Sequence, residues 1–307
     1  MPDYYHILSL DGGGIRGLLV SRLLERLEAR RPGFLGSVDL LAGTSTGAII
    51  ALCLAAGITP EELSDLYRAQ GRAIFEETTW DELGDVDRLV RADYDNAHLK
   101  SALDGVFGDM RVGDLPRKVL VATFDLDAVA TSGLRAWKPK FVHNFEEESD
   151  DREQLVADVA MRSAAAPTFF PVYQGFVDGG VVANNPSMCA LAQVLHPDTG
   201  GQHASRVALL SLGTGQNPHY LDAVDSNWGY AQWAPHFLKI MFEGASGIAD
   251  YQCRQVLGKR YLRIDPVLAE SIGLDAVDKM PVLEQIADSV DLDEPVAWLE
   301  RWFGIRT

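Results

Sequence analysis

Short apolar runs, separated by polar segments rich in glycine, recur along most of the chain. Apolar runs bounded by turn residues are typical of strands that are buried on both faces. Five such runs are present, at residues 6–10, 38–42, 119–124, 175–177 and 207–212. The sequence therefore predicts a set of short, buried strands.

Helical patterns lie between these strands. Apolar residues recur at helical spacing over residues 18–27, and residues 48–56 form a second, almost wholly apolar helix. Thr59, Pro60 and Glu62 have the spacing of a capping box with proline at the first helical position, which predicts a third helix. This alternation indicates an α/β fold in three layers, with a mostly parallel central sheet and helices on both faces.

The turn Gly-Thr-Ser-Thr-Gly at residues 43–47 follows one predicted strand and precedes a predicted helix. It matches G-x-S-x-G, in which a sharp turn lifts the serine hydroxyl above the sheet edge and the glycines relieve crowding. The start of the following helix favours negative charge beside the serine. We therefore expect Ser45 to be a nucleophile, the alternative being a purely structural turn.

A second glycine-rich turn, Asp-Gly-Gly-Gly-Ile-Arg-Gly at residues 11–17, opens the first helix. It also fits the dinucleotide fingerprint G-x-G-x-x-G, which requires an acidic residue at the end of the second strand. Asp39 lies at the start of that strand, so dinucleotide binding is the weaker alternative. Consecutive glycines expose backbone N–H groups, so residues 12–14 suit an oxyanion hole, to which Arg16 adds a cation.

The serine needs a base. Seven histidines are present: His6, His98, His143, His196, His203, His219 and His236. None of them lies in a motif that identifies a catalytic base, whereas Asp178 begins an Asp-Gly-Gly turn after a predicted strand. Turns at the carboxyl ends of parallel strands meet in one crevice, so we expect Asp178 to lie near Ser45. Burial would raise the pKa of this aspartate towards the range of a general base. The alternative for an isolated Asp-Gly-Gly is a hairpin turn.

Aromatic residues are concentrated in residues 216–250. They include Trp228, Tyr230, Trp233, Phe237 and Phe242, and Met241 lies among them. One interpretation is a helical layer packed on the core. The other is an apolar cap at the lip of a lipid site, since aromatic side chains suit a greasy, partly wet surface.

Composition restricts the partners. The chain has 307 residues, 47% hydrophobic and 23% charged, which fits a single globular domain spanning residues 1–307. Lys and Arg number 27 against 44 Asp and Glu, a net charge of −17, so we expect no nucleic-acid polymer as a partner. The N-terminus has no signal-peptide pattern and no apolar run is long enough to span a bilayer. We therefore expect a cytoplasmic protein.

No pattern in the sequence indicates a metal or a disulfide. Cys53, Cys189 and Cys253 are widely spaced and lie in apolar surroundings, so we expect buried thiols. The acidic run at residues 146–153 is expected to be a solvated loop rather than a cation site. We accordingly expect no metal and no cofactor.

Together, these motifs resemble those of the patatin-like phospholipase family. The blocks at residues 11–17, 43–47 and 178–180 occur in the family's order, and three more stretches are similar: residues 163–171, 183–186 and 211–215. The resemblance extends from about residue 5 to at least residue 260. It implies the three-layer fold of that family.

The resemblance also implies a chemistry. It points to a catalytic dyad of Ser45 and Asp178, without a catalytic histidine. The implied oxyanion-hole residues are Gly12, Gly13, Gly14 and Arg16, the arginine either stabilising the loop or meeting a phosphate. The implied reaction is calcium-independent hydrolysis of acyl esters in phospholipids or other lipids through an acyl-enzyme, with transient contact to a membrane surface. Members often carry a mobile segment over the site, for which residues 73–94 or 216–250 are candidates.

Several alternatives stay open. Some bacterial relatives within the family are defence effectors that a cyclic nucleotide activates, so a small-molecule activator is one of them. An α/β-hydrolase with a histidine base also uses G-x-S-x-G, although its nucleophile usually lies farther from the N-terminus. A non-enzymatic lipid- or nucleotide-binding protein would share the fold. Oligomeric state is open too, because Trp298, Trp302 and Phe303 suit either docking on the core or a contact between chains.

Overall fold

The computed structural model describes residues 4–75, 92–129, 133–145, 149–221 and 227–304. Within these ranges, seven strands form one sheet: β1 (Tyr5–Leu10), β2 (Leu40–Thr44), β3 (Lys118–Val129), β4 (Arg135–His143), β5 (Phe176–Asp178), β6 (Val207–Leu212) and β7 (Tyr261–Ile264). Their order is β4-β3-β2-β1-β6-β7, and β5 also pairs with β3. All neighbours run parallel except β4 and β5, which are antiparallel to β3.

Ten α-helices accompany the sheet in the same part of the chain. They are α1 (Gly17–Arg30), α2 (Thr46–Ala55), α3 (Pro60–Ile74), α4 (Ala97–Phe107), α5 (Val156–Ala164), α6 (Gly180–Ala183), α7 (Ser187–Leu195), α8 (Tyr230–Leu257), α9 (Met280–Ser289) and α10 (Asp293–Trp302).

Helices cover both faces of the sheet. Leu8 and Leu10 of β1 pack with the buried residues of α1 to α5, α9 and α10. Ile7, the residue before Leu8, packs on the other face with α7 and with Cys253 and Leu257 of α8. Successive strand residues therefore enter two different cores, which is why the strands are apolar throughout. The predicted three-layer α/β fold is confirmed.

The sequence and the structure differ mainly at the outer strands. All five predicted strands are present, but β3 continues to Val129, five residues beyond its predicted end at Phe124. The prediction also missed β4 and β7. Most of β4 is exposed to solvent, so it has no apolar run, and β7 is only four residues long. Such elements depend on pairing with their neighbours rather than on a pattern of their own.

The third predicted helix, now α3, begins as its capping box indicates. The Thr59 hydroxyl accepts from the Glu62 N–H at 3.3 Å, and the Glu62 carboxylate accepts from the Thr59 N–H at 2.8 Å. Proline occupies the first turn, where no amide hydrogen is needed. The prediction of this helix start is confirmed.

In the acidic run, Asp150 and Glu153 are exposed as expected, whereas Asp151 departs from the expected solvated loop. Residues 146–148 lie outside the described residues, and residues 150–153 form a 3-10 turn. Asp151 is buried and forms an ion pair with Lys140 of β4 at 2.6 Å. Its carboxylate also accepts from Gln154 at 3.0 Å. Asp151 is therefore a structural residue that fastens this turn to the edge strand.

The C-terminal aromatic residues dock on the core. Phe303 is fully buried and stacks on the His6 ring, with the two centroids 4.4 Å apart. Trp302 meets Tyr4 edge to face, and the Trp298 indole donates to the Lys259 carbonyl at 2.8 Å. These contacts fasten the last helix to the beginning of β1, as one of the two sequence-based interpretations expected.

Of the two candidate mobile segments, residues 73–94 lie mostly outside the description, because residues 76–91 are not described. The aromatic stretch contributes the first part of α8. No helix among the described residues is long and apolar enough to cross a membrane. The three cysteines are free thiols, two buried and one half-buried.

Candidate active site

Ser45 sits at a strained turn between β2 and α2. Its φ of 55° and ψ of −124° are unusual for a residue with a side chain. A Cβ on Gly43 would lie 2.2 Å from the Gly47 carbonyl oxygen, and one on Gly47 would lie 2.2 Å from that of Leu10. Only glycine fits at either position, so the G-x-S-x-G spacing is a steric requirement of this turn.

Hydrogen bonds from neighbouring elements hold the turn in place. The Ser45 N–H donates to the Ser163 hydroxyl at 2.9 Å, and that hydroxyl donates to the Ala122 carbonyl at 2.7 Å. The Thr44 hydroxyl donates to the Ala183 carbonyl at 2.6 Å. The strained conformation is therefore anchored to α5, β3 and α6 together.

Asp178 is brought close to Ser45 because their strands, β5 and β2, meet end to end along one edge of β3. Thr44 of β2 pairs with Ala122 of β3, and Asp178 of β5 pairs with the next residue, Thr123. Because β4 occupies the other edge of β3, β2 and β5 share one edge and point their carboxyl ends at each other. Asp178 thus reaches the carboxyl edge on an antiparallel strand, whereas the sequence reasoning assumed a parallel one.

The Asp178 carboxylate is buried and hydrogen-bonded. It accepts from the Gly180 N–H at 2.6 Å, and the Ser45 hydroxyl lies close enough to influence its charge. Burial raises its pKa to about 7, against the lowering effect of these two groups. The Asp178 N–H donates to the Ala165 carbonyl at 2.9 Å, which fixes the backbone of the turn. This aspartate can take a proton from Ser45 near neutral pH, and the turn is not a hairpin.

The glycine-rich loop lies over the serine. The Gly12 N–H donates to the Asn184 carbonyl at 3.0 Å, so it is engaged. Gly13 and Gly14 line the pocket that contains Ser45, and neither N–H has an acceptor among the described residues. A Cβ on Gly13 would lie 2.2 Å from the Thr214 hydroxyl, and Gly14 has a φ of +57°. The backbone donors available to an anion here are those of Gly13 and Gly14.

Arg16 supports this loop from behind. Its guanidinium donates to the Gly13 carbonyl at 3.4 Å and to the Gly215 carbonyl at 3.1 Å. Burial lowers the pKa of this arginine, although nearby carboxylates oppose the shift. Arg16 does not line the pocket that contains Ser45. Of the two roles that the sequence left open, its contacts fit stabilisation of the loop.

A buried ion network fixes the base of the same loop. Arg263 of β7 binds Asp11 at 2.7 Å and Asp265 at 2.8 Å, and all three side chains are less than 10% exposed. Asp265 in turn accepts from the Gly215 N–H at 3.0 Å. Burial raises the pKa of Asp11 to about 6, while Arg263 acts to lower it. The network joins the ends of β1, β6 and β7 beneath the glycines.

An apolar pocket opens beside the serine. Its walls come from α2 to α5 and α8, through side chains such as Ile49, Leu66, Phe75, Leu103, Phe170 and Phe242. Ser45 and Asp178 are its polar end. The pocket is narrow, about 80 Å³, and suits an extended hydrocarbon chain with its polar end at the serine.

A larger polar chamber of about 740 Å³ adjoins this pocket. Phe169, Asn184, Phe242 and Leu274 border both cavities. Six carboxylates line the chamber, those of Asp11, Asp93, Glu243, Asp250, Asp265 and Asp275, against three cations, Arg16, Lys239 and Arg263. The chamber therefore has an excess of negative charge.

The described residues do not favour the two alternatives from the sequence, a histidine base and a dinucleotide site. All seven histidines lie in described ranges, and none lines the pocket with Ser45. Asp39 accepts from the His6 N–H at 2.7 Å at the amino edge of the sheet, far from a dinucleotide's ribose position. Among the described residues, no group of three or more His, Cys, Asp or Glu side chains is arranged to hold a metal ion.

Several residues that shape the site had no assigned role in the sequence analysis. Ser163, Asn184 and Thr214 belong to stretches that matched the family motifs, but nothing in a motif states which backbone atom a side chain will hold. Thr214 donates to the Gly12 carbonyl at 2.9 Å. Arg263 belongs to none of the motifs, so no signal in the sequence indicated it.

Known proteins resemble this chain in sequence and in structure. "Protein teg" of Priestia megaterium is 29% identical over 97% of this chain and 98% of that protein. A "cGAMP-activated phospholipase" of Pseudomonas aeruginosa is 33% identical over 91% of this chain and 84% of that protein. The crystal structure of VipD from Legionella pneumophila matches with a TM-score of 0.40 and 13% identity, covering 92% of this chain and 67% of VipD. The family model of the patatin-like phospholipases matches residues 8–191, and the chain belongs to that family.

Proposed function

We propose that this chain is a serine acyl hydrolase that cleaves carboxylic ester bonds of phospholipids. The observation that carries the proposal is that the Ser45 hydroxyl acts on the buried Asp178 carboxylate and that both residues line the same apolar pocket. A nucleophile, its base and a hydrocarbon pocket are the parts that acyl-lipid hydrolysis needs. Membership of a family of phospholipases supports the same class of reaction.

The proposed reaction has two steps. Asp178 takes the hydroxyl proton as Ser45 attacks the ester carbonyl, and the proton passes to the departing alcohol or lysolipid oxygen. Water then attacks the acyl-enzyme, with Asp178 again accepting the proton and returning it to Ser45 as the fatty acid leaves. Asp178 is suited to both transfers because its pKa of about 7 lies close to neutral pH.

In this mechanism, the N–H groups of Gly13 and Gly14 stabilise the tetrahedral oxyanion. They are free of other acceptors among the described residues and border the serine. Gly12 contributes through its small size, since a Cβ there would lie 2.3 Å from the Asn184 side-chain oxygen and 3.2 Å from the Ser45 Cβ. Arg16 acts on the loop rather than on the substrate.

The proposed substrate position follows from the two cavities. The acyl chain would occupy the apolar pocket, and the polar part of the lipid would lie towards the chamber beyond Phe242 and Asn184. We propose α8 as the cap of this site. Phe242 on its inner side borders the pocket, while Phe237 and Ile248 are 47% and 62% exposed on its outer side. Such a helix suits transient contact with a membrane surface.

A second candidate is hydrolysis that requires an activator. It is favoured by the 33% identity to the P. aeruginosa protein named a cGAMP-activated phospholipase. The polar chamber is large enough for a small polar ligand, but its six carboxylates oppose a ligand with two phosphates. We therefore place unassisted hydrolysis first.

Ser45→Ala tests the proposed nucleophile. We expect release of fatty acid from phosphatidylcholine vesicles and hydrolysis of p-nitrophenyl butyrate to fall roughly a thousandfold or more, with an unchanged melting temperature. EDTA should leave the wild-type rate unchanged, since the proposed steps use no metal. Ser289→Ala, an exposed serine on α9, is the matched control. Equal ester hydrolysis by Ser45→Ala and wild type would refute the mechanism.

Asp178 gives a prediction about pH. As a base it must be ionised, so kcat/KM should rise with pH around a midpoint of about 7. Its pKa is higher in the folded state than the ordinary 3.8, so the folded protein binds this proton more tightly. The free energy of unfolding should therefore fall as the pH rises from the ordinary pKa of 3.8 through the folded-state pKa of about 7. Asp178→Asn should be inactive yet melt at a higher temperature than wild type at pH 8, and the difference should vanish near pH 4. A rate independent of pH would contradict the assignment.

Arg263→Lys tests the buried network beneath the oxyanion loop. Lysine keeps the charge but cannot bind Asp11 and Asp265 with the same planar geometry. We expect kcat to fall by about tenfold with little change in KM, because the loop acts on the transition state. Arg30→Lys, at the exposed pair with Asp293, is the control and should retain full activity. A change in KM alone would place Arg263 in substrate binding instead.

The vesicle assay also distinguishes the regulated alternative. We expect wild-type hydrolysis of phosphatidylcholine vesicles without added nucleotide and no stimulation by cGAMP. The rate should be measured with and without cGAMP at equal ionic strength, with Ser45→Ala as the blank. Hydrolysis that depends on cGAMP would establish the second candidate in place of the first.

A further inference from the structure

The β3–β4 hairpin projects beyond the rest of the sheet. β3 pairs with β2 as far as Ala122 and with β5 from Thr123 to Asp125, so its last four residues continue past both strands. At the strand rise of about 3.4 Å per residue, that extension reaches roughly 14 Å. It leaves the sheet at the carboxyl edge, on the same side as Ser45, which directly follows β2.

The far end of this hairpin is apolar and exposed. Val129 is 66%, Leu134 71% and Trp137 73% exposed, and Leu126 is 37% exposed. Val129 is the last residue of β3 and pairs with Arg135, and Leu134 directly precedes β4. Large apolar side chains grouped at a projecting tip mark an interaction surface rather than scattered surface residues.

Charge also separates the hairpin from the rest of the molecule. Arg135 forms an ion pair with Asp127, Lys140 with Asp151, and Lys138 lies opposite Asp125 in the register. β4 itself has three cations and no acidic residue. β3 and β4 together carry four cations and two acidic residues, a net charge of +2, in a chain with a net charge of −17. The hairpin can approach lipid phosphates without the repulsion that the rest of the surface would meet.

The shape of the tip fits a bilayer better than a protein partner. A stable protein interface buries about 800 Å² on each side, which a narrow two-stranded tip with four apolar side chains does not supply. A lipid interface needs only a few inserted side chains, and tryptophan, aliphatic and basic residues together are the composition that suits it.

The base of the hairpin belongs to the catalytic site. Thr123, where β3 passes the end of β2, pairs with Asp178. A bilayer that holds the tip therefore lies beyond the sheet edge that presents Ser45 and Asp178. We propose that the β3–β4 hairpin, through Val129, Leu134 and Trp137, inserts into the lipid interface and docks this edge of the protein on a phospholipid bilayer. The choice of a bilayer as the partner rests on the proposed phospholipid hydrolysis.

The double variant Leu134→Ser, Trp137→Ser tests this docking. Both side chains are exposed, so the fold should be retained. Hydrolysis of phosphatidylcholine vesicles and co-sedimentation with them should each fall about tenfold or more, because one buried apolar side chain is worth at least that factor. Hydrolysis of soluble p-nitrophenyl butyrate should match wild type. Unchanged vesicle hydrolysis and binding, or an equal loss on the soluble ester, would overturn the proposal.

A fluorescent label provides a readout that does not depend on catalysis. In a Cys189→Ser background the two remaining cysteines are buried, so Leu134→Cys can be labelled selectively with an environment-sensitive dye. Its emission should shift to the blue on adding phosphatidylcholine vesicles. A label at Asp198→Cys is the control, because that residue precedes β6 at the opposite edge of the sheet and should show no shift.

These readouts separate failure of docking from failure of the proposed function. If wild type hydrolyses neither substrate while the Leu134→Cys label still shifts, the proposed function fails and docking stands. If vesicles cause no shift and the double variant instead changes the mass measured by light scattering, the tip joins copies of this chain and the bilayer proposal is overturned.

Discussion

The geometry of the candidate active site depends on how two strands share one edge of β3. β2 ends at Thr44, opposite Ala122, and β5 arrives from the other direction and ends at Asp178, opposite Thr123. No loop has to carry the aspartate to the serine, because consecutive residues of one strand fix the distance between them. A site held by strand pairing is rigid, and the proposed mechanism needs that rigidity to keep a carboxylate and a hydroxyl aligned.

The same arrangement places carboxylates in the interior, where the loss of their hydration costs free energy. Asp178 is buried without a cationic partner among the described residues, and its pKa rises towards 7. Asp11 and Asp265 are buried as well, but both face Arg263 and are hydrogen-bonded on several sides. A buried carboxylate that is paired with a cation stabilises the scaffold. A buried carboxylate without such a partner has a pKa close to neutral pH and is therefore a candidate for acid–base chemistry. The strained backbone at Ser45 is a further cost concentrated at this edge.

Two apolar elements flank the catalytic edge in the order of the sheet. The hairpin lies on the side of β3 and β4, and α8 packs on the side of β6 and β7. The rest of the molecule carries a strong negative charge. A lipid surface would meet attraction at these elements and repulsion elsewhere, so orientation on a bilayer would follow from the distribution of charge and apolar area rather than from a specific lipid contact.

The sequence alone determined the layers of the fold, the turn at Ser45 and the candidate dyad. Local rules govern these features: strands buried on both faces must be apolar, and only glycine fits beside a strained serine. The sequence could not determine that β5 is antiparallel, that the Gly12 N–H is already engaged, or that Arg263 supports the loop. Those facts depend on contacts between residues far apart in the chain, such as Gly12 with Asn184 and Asp11 with Arg263. Only the tertiary structure decides such contacts, because hydrogen-bond and ion-pair partners are set by position in space and leave no periodicity in the sequence.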